Sequence, residues 1–531
     1  MPKTPQKKTI DVPPVRSARE PLRDLFIVIA FGMALIYSNH WFTIIDDETL
    51  ILSAAAQPIR TTIALFRSGL GQHHHPPLYD LLLHFWLLAT GGAFDWLRVP
   101  AIVFFVAGIW VLSLAAKRLA GQSGATALIL LAVLWPYGFH FGRLAAWYSF
   151  AFLLVSALTW AYLRYCDGQC GSAWALVCLF ALLLVYTSYF GWAMIALLAA
   201  DDWWRHRAQP GTIRRLAASA AILAVAYAPL WRVFFSEVSQ AAHVSHSWRG
   251  LILNAGYNAY VLIVSESLAP WFWRFGVPAT IAVASCFVLA FFGAKDASRR
   301  FLIFAAILFI VMAGVGILDT KRLLLIGPWV LLPFSTAISS TSRPLLRRAL
   351  AVSLLVAAGL GWFGVYSRRY YAAPRFFEPW AQLADEEAGN LATGAGIIGN
   401  NPSFFFYLTY ALKVPPSPEG WRFRGALPYD TQAKNVWGAE DWIAAGHPTR
   451  PQMIWIRGMP GPDTGTPMAD AVDWLDHHCG DRNFRFMARD PGYELKQRYF
   501  PELGTLAWRI EIHQYDCSQN ATPPAAGPQH Q

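Results

Sequence analysis

The run Ile44-Ile45-Asp46-Asp47-Glu48-Thr49 sets three carboxylates directly after the first long apolar segment, Leu25 to Ile45. A carboxylate close to a bilayer loses part of its hydration, which raises its basicity. Such a group can act as a general base on a substrate presented at the membrane surface. One acid there would merely end a helix in a solvated loop. Three in a row beside an apolar span point to function, with Asp46, Asp47 and Glu48 as the catalytic candidates. About one helix-length later comes His73-His74-His75-Pro76-Pro77-Leu78-Tyr79. Histidine donates to anions, acts as an acid or ligates metals. Adjacent histidines seldom converge on one ion, so a divalent metal held through His73 would need Asp46 or Glu48 as well. The proline pair stiffens the chain and starts the next helix at a fixed angle.

Arg98, Arg143 and Arg322 each sit at the end of an apolar segment. The guanidinium fork suits phosphate oxygens, which it meets with two parallel hydrogen bonds. Any one of these arginines would ordinarily snorkel to lipid headgroups. Three on the face that carries the acids suit an anionic leaving group. His75 and Lys321 are further candidates for that phosphate. Tyr79, Tyr148, Glu237 and His246 are candidates for contact with a sugar or an acceptor.

The elements that must position these groups are apolar. The chain has 531 residues, 55% hydrophobic and only 14% charged, with a mean hydropathy of +0.34. Soluble domains carry nearer a quarter charged residues. The net charge of +10 falls in short loops between apolar runs rather than in a basic stripe with stacking aromatics. It therefore reads as membrane orientation, not as nucleic-acid binding. The 24 tryptophans mostly flank apolar runs, as an aromatic belt does.

About eleven spans are expected, over 25–45, 99–117, 123–139, 147–163, 174–187, 188–203, 213–235, 272–293, 300–318, 322–340 and 348–366. Residues 1–24 form a basic tail on the cytoplasmic side. The other basic loops join it there only if Leu78 to Thr90 does not cross, so this short segment, with Asp80 and His84, is read as an interfacial helix on the outer face. The first outer loop is then 46–98, and 25–371 forms one polytopic membrane region.

From about Ala372 the composition turns polar. Gly396-Ile397-Ile398-Gly399 and Met453-Ile454-Trp455-Ile456 read as buried strands, and Leu506 to His513 alternates as a strand. Pro402 to Leu412 and Met468 to His478 read as helices. Residues 372–517 are thus expected to be a small α/β domain outside the membrane, with 518–531 a disordered tail. Of six cysteines, Cys479 and Cys517 lie in this domain and could pair if it faces an oxidising space.

Taken together, Asp47-Glu48, His75-Pro76-Pro77-Leu78-Tyr79, Leu97-Arg98-Val99-Pro100-Ala101, Gly142-Arg143 with Trp147-Tyr148, and Lys321-Arg322 ahead of Gly327-Pro328 resemble the glycosyltransferase C superfamily. The branch resembled is the protein O-mannosyltransferase-related group, which includes the bacterial lipid A aminoarabinose transferases. The pattern spans roughly residues 20–340.

The resemblance implies a lipid-linked donor, normally a polyprenyl-phosphate monosaccharide, used on the outer side of a bacterial inner membrane. The acceptor would be a glycolipid, a polysaccharide or a protein. The resemblance places the base at Asp47 and the arginine of the R-x-P-A stretch at Arg98. Where the aminoarabinose transferases carry a lysine before the proline pair, this chain has His75. Competing readings are a transporter or flippase for a lipid-linked saccharide, and a polymerase or ligase that moves whole chains. A transporter would place its ionisable groups near the bilayer midplane rather than at its edge.

Overall fold

The computed structural model describes residues 19–68, 75–168, 171–242, 248–372, 377–412, 435–458, 467–489 and 509–520, with Leu495 and Arg498. The apolar runs form helices α1 (Arg19–Tyr37), α2 (Asp46–Ala56), α3 (Ile59–Ser68), α4 (Leu78–Thr90) and α5 (Val99–Leu134). They continue as α6 (Pro136–Phe141), α7 (Tyr148–Gly168), α8 (Gly171–Val185), α9 (Gly191–His206), α10 (Thr212–Ala226) and α11 (Trp231–Ala242). Five more, α12 (Trp248–Val264), α13 (Trp273–Gly293), α14 (Asp296–Gly314), α15 (Gly327–Ser340) and α16 (Pro344–Ser367), complete the helical region.

The long run of α5 is two helices, because Gly121 leaves the helical region with φ +73°, a value that glycine tolerates. This break agrees with the expected pair of spans 99–117 and 123–139. Six helices among the described residues are long and apolar enough to cross a bilayer, or seven if the bent pair Thr212–Ala226 and Ala228–Glu237 counts as one span. The expected eleven are not reached by length and apolarity alone. Helices α8, α9 and α15 have only 15, 16 and 14 residues. Helix α4 has 13 residues, short for a span.

At the centre, α5 packs against α7 and α15. The α5–α7 approach depends on Gly108, where a Cβ would stand 2.6 Å from Phe152 Cδ1 and 3.1 Å from Leu153 Cα. Trp329 of α15 is fully buried and donates its indole N–H to Thr159 of α7 at 2.9 Å. At the far end of α7, the Tyr162 hydroxyl donates to Asp201 (2.6 Å), which also pairs with Arg300 (2.6 Å). Residues 148 and 162 lie about 21 Å apart along α7, so these charges sit at the opposite end of the bundle from Tyr148.

The C-terminal region is an α/β unit. It comprises α17 (Trp380–Ala392), β1 (Gly396–Gly399), α18 (Pro402–Ala411), β2 (Val436–Gly438), α19 (Ala439–Ala444), β3 (Gln452–Arg457), α20 (Pro467–His478), β4 (Gly480–Arg489) and β5 (Arg509–Asp516). The sheet order is β2-β1-β3-β5-β4. β1 is parallel to β2 and β3, whereas β5 is antiparallel to β3 and β4. Ile398 of β1 stands beside Trp455 of β3 in a fully buried core. Cys479 and Cys517 form a disulfide with a Cα separation of 4.5 Å, tying the start of β4 to the end of β5.

Candidate active site

The start of α2 is fixed from inside the protein. Ile45 is extended (φ −93°, ψ 163°), and Glu48 turns back to accept the Ile45 N–H at 3.1 Å. The same carboxylate accepts the Ala145 N–H at 2.7 Å. It also meets Arg98 through two bonds, Nε to Oε1 at 2.7 Å and Nη2 to Oε2 at 2.5 Å. Arg98 directs its other donors to the carbonyls of Phe42 (2.8 Å), Thr43 (2.6 Å) and Asn39 (3.4 Å). Glu48 is 0% exposed and Arg98 3%.

This network corrects two expectations. Each Glu48 oxygen already accepts two hydrogen bonds, so Glu48 is neither the base nor a metal ligand. All five N–H groups of Arg98 are engaged within the protein, so none remains for a phosphate. The pair holds the loop that carries the acid.

Asp47 turns the other way. Its side chain keeps 29% of its exposure. Oδ2 accepts from Lys321 Nζ at 2.6 Å and from the Tyr148 hydroxyl at 2.9 Å, while Oδ1 takes no hydrogen bond among the described residues. Burial pulls the Asp47 carboxyl up, and Asp319 adds repulsion. The charge and hydrogen bond of Lys321, with the Tyr148 bond, outweigh both, so Asp47 titrates below the ordinary 3.8. Asp47 is therefore ionised at neutral pH, with Oδ1 free of hydrogen bonds among the described residues.

Lys321 comes from a 3-10 turn, Thr320–Leu325, whose start is capped by Asp319 accepting the Lys321 N–H. The Tyr137 hydroxyl braces this turn by donating to the Thr320 carbonyl at 2.6 Å. Arg322 follows on the same turn, half-buried, with Nη1 donating to the Ile317 carbonyl at 3.1 Å. Its remaining donors have no protein partner among the described residues. The structure thus gathers Asp47, Tyr148 and Lys321 by direct bonds and sets Arg322 next to Lys321.

The other expected residues are placed differently. Arg143 is completely buried, with Phe42 and Phe139 each 4.3 Å from its guanidinium carbon, and it donates to Ser38 and to the Phe139 carbonyl. Sealed in this way it does not reach a phosphate at the surface, which corrects its assignment. Tyr79 is also fully buried, packed on Phe104 and Phe150, and is not a sugar contact. His75 is buried, its Nε2 4.0 Å from Asp80 and its ring 6.0 Å from Trp147. Burial pushes the Asp80 carboxyl well above the usual range. Glu237 lies on α11, where its charge reaches Tyr189. His73, His246 and the side chain of Asp46 lie outside the described residues. No group of three or more His, Cys, Asp or Glu converges as metal ligands among the described residues.

Two further groups beside the acid loop have no signature in the sequence. His140 Nδ1 lies 2.5 Å from the Ser265 hydroxyl, and burial together with Arg143 holds this imidazole down at about 3, neutral at all ordinary pH. Tyr407 accepts the Ile44 N–H at 2.8 Å, beside the acid loop. Neither carries a local signal, because each partner is far away in sequence.

No protein-family model matches the chain, and no curated protein matches it. Solved structures do. ArnT from Cupriavidus metallidurans bound to undecaprenyl phosphate aligns over 95% of this chain and 99% of that one, at 12% identity and a TM-score of 0.51. The same protein in the apo state aligns over 96% and 100%, at 14% identity and a TM-score of 0.54. This chain shares the fold of ArnT. The alignment runs through the membrane helices and the C-terminal α/β unit alike, since it covers nearly the whole of both chains. A structure of the arabinofuranosyltransferase AftD from mycobacteria aligns at 17% identity over 92% of this chain and 40% of that one, with a TM-score of 0.44.

Proposed function

We propose that this protein is an integral membrane glycosyltransferase. It moves a monosaccharide from a polyprenyl-phosphate donor to an acceptor hydroxyl on the outer face of a bacterial inner membrane. The observation that carries the reading is Asp47: an ionised carboxylate with one open oxygen, bonded to Lys321 and Tyr148, in the fold of a protein seen with undecaprenyl phosphate.

The reaction is an inverting single displacement. Asp47 Oδ1 takes the proton of the acceptor hydroxyl as its oxygen attacks the anomeric carbon from the face opposite the phosphate. The bond from that carbon to the phosphate oxygen breaks, and polyprenyl phosphate leaves with the electron pair. The departing group is already anionic, so it needs fixed positive charge more than a proton. Lys321 and Arg322 supply that charge. A cavity of about 520 Å³ between α12, α13, α14 and α15 includes Ile326, directly after the Lys321 turn, and is lined by Phe287, Phe291 and Ile303. It suits the isoprenoid chain of the donor.

In this orientation the N-terminus is cytoplasmic and the C-terminal unit is periplasmic, where the Cys479–Cys517 disulfide is at home. The sugar and the acceptor stay at the level of class: a hexose or pentose, and a glycolipid, polysaccharide or protein. The test is direct. Purified protein is incubated with radiolabelled polyprenyl-phosphate sugars and a detergent extract of membranes. A new glycosidic bond formed without a sealed membrane supports transfer and excludes a flippase. Transfer of single sugars rather than chains excludes a polymerase or ligase.

A further inference from the structure

The acid loop is gripped from two sides, and only one grip belongs to the membrane helices. From below, Arg98 and Glu48 take the backbone of residues 42, 43 and 45. From above, the C-terminal unit takes the groups left over. Tyr407 of α18 accepts the Ile44 N–H at 2.8 Å, and the Glu378 carbonyl accepts the Thr43 hydroxyl at 2.7 Å.

The same helix reaches the other end of the first outer loop. Tyr410 donates to the Gly92 carbonyl at 2.9 Å, and Phe94 packs among the rings of Phe406, Tyr407 and Tyr410 at 5.3 to 6.3 Å. Helix α18 therefore bridges the segment before Asp47 and the segment before Arg98, the two pieces that the Glu48–Arg98 pair joins underneath. Its own start is fixed by Asn401, whose side chain accepts the N–H groups of Ser403 and Phe404 and donates to Gly458 beside β3. A continuous set of contacts runs from the sheet, through α18, to the backbone two residues before the Asp46-Asp47 pair.

We propose that the C-terminal unit is a working part of the active site, with Tyr407 as a positioning residue that aims Asp47. Tyr407 is 9% exposed, and burial pushes its hydroxyl up to about 12, so it stays a neutral hydrogen-bonding group. Because Asp47 sits in the first turn of α2, a shift of Ile44 and Ile45 rotates or tilts the carboxylate. An error of about 1 Å there costs on the order of 10²-fold in rate. The inference rests on Asp47 acting as the base.

The test uses the full-length protein in detergent and the donor that supports transfer. In Tyr407→Phe, kcat falls about tenfold while the donor KM stays within about twofold. Amide exchange rises across residues 42–49 but not across β3. Ile398→Val, which loosens the sheet core without touching the loop, keeps kcat. Unchanged kcat and exchange in Tyr407→Phe overturn the proposal, as does an equal loss in Ile398→Val. Asp47→Asn run beside them separates the two ideas. If it is inactive while Tyr407→Phe is fully active, only the positioning role fails. If it keeps transfer, the base assignment fails and the positioning role of Tyr407 falls with it.

Discussion

Lys321 Nζ lies 2.6 Å from Oδ2 of Asp47, across 274 residues of sequence. On the proposed mechanism, the pair joins the base to the cation that meets the donor phosphate. It also sets the basicity of the acid, because without Lys321 burial alone would raise the Asp47 carboxyl.

Lys321→Met is expected to lower transfer on the order of 10²-fold, as loss of a charge-stabilising donor does. It also changes the pH dependence. In the wild type the acid limb is expected below the ordinary aspartate range, since the base is lost as pH falls through the lowered Asp47 value. In Lys321→Met that value rises, so the limb moves to higher pH. A pH–rate profile of both proteins checks the direction, and an unmoved limb contradicts the pairing. By the same sign, the Asp47–Lys321 pair stabilises the fold above the ordinary aspartate value and loses that effect as pH falls.

Tyr148→Phe removes one hydrogen bond to the ionised Asp47 and nothing else at the site. A bond to a charged group contributes about 1.5–3 kcal/mol, so turnover should fall roughly ten- to hundredfold. Donor affinity should change by less than about twofold, because the tyrosine touches the acid. Steady-state kinetics that show the loss in KM instead would place Tyr148 on the donor.

Glu48→Gln should act on the fold rather than on one chemical step. It leaves Arg98 buried at 3% exposure without its carboxylate, and breaking such a pair costs about 3–5 kcal/mol. The expected readout is a lower melting temperature in detergent, with poor yield. A variant of wild-type stability and normal loop protection would show that the network is dispensable.

The disulfide makes a prediction about place as well as stability. Cys479 and Cys517 close a separation of 38 residues, for which a bridge contributes about 4 kcal/mol. Double replacement by serine should destabilise the α/β unit while the membrane helices stay folded. In intact cells neither thiol should alkylate before reduction. Free labelling of both would put the unit on the reducing side.

Much of this was legible in the chain, and the limits have physical causes. Three acids after an apolar run marked the loop whose Asp47 meets Lys321 and Tyr148, and the departure from helix at Gly121 matched a polar break between two apolar stretches. The residue types alone do not reveal which acid faces out, although the resemblance points to Asp47. Asp47 and Glu48 are adjacent on a helix start, and only the Glu48 pairing with Arg98, 50 residues away, turns one inward. Arg98 and Arg143 look like phosphate ligands because arginine at the end of an apolar run is ambiguous until its partners are known. Lys321 seemed weaker for the same reason. In the C-terminal unit the apolar strands β1 and β3 stood out, whereas β2 has three residues and β4 is rich in arginine, so neither carries a strand pattern. The reach of Tyr407 to Ile44 is wholly tertiary.

The measurement that bears most directly on the central claim is single-turnover transfer by Asp47→Asn, alongside binding of undecaprenyl phosphate to the same protein. The substituted amide keeps the shape of the carboxylate but takes no proton. The expected result is transfer reduced by at least about 10³-fold, with undecaprenyl phosphate bound as well as by the wild type, because Lys321 and Arg322 are intact. Transfer near the wild-type rate would show that another group is the base and would contradict the account.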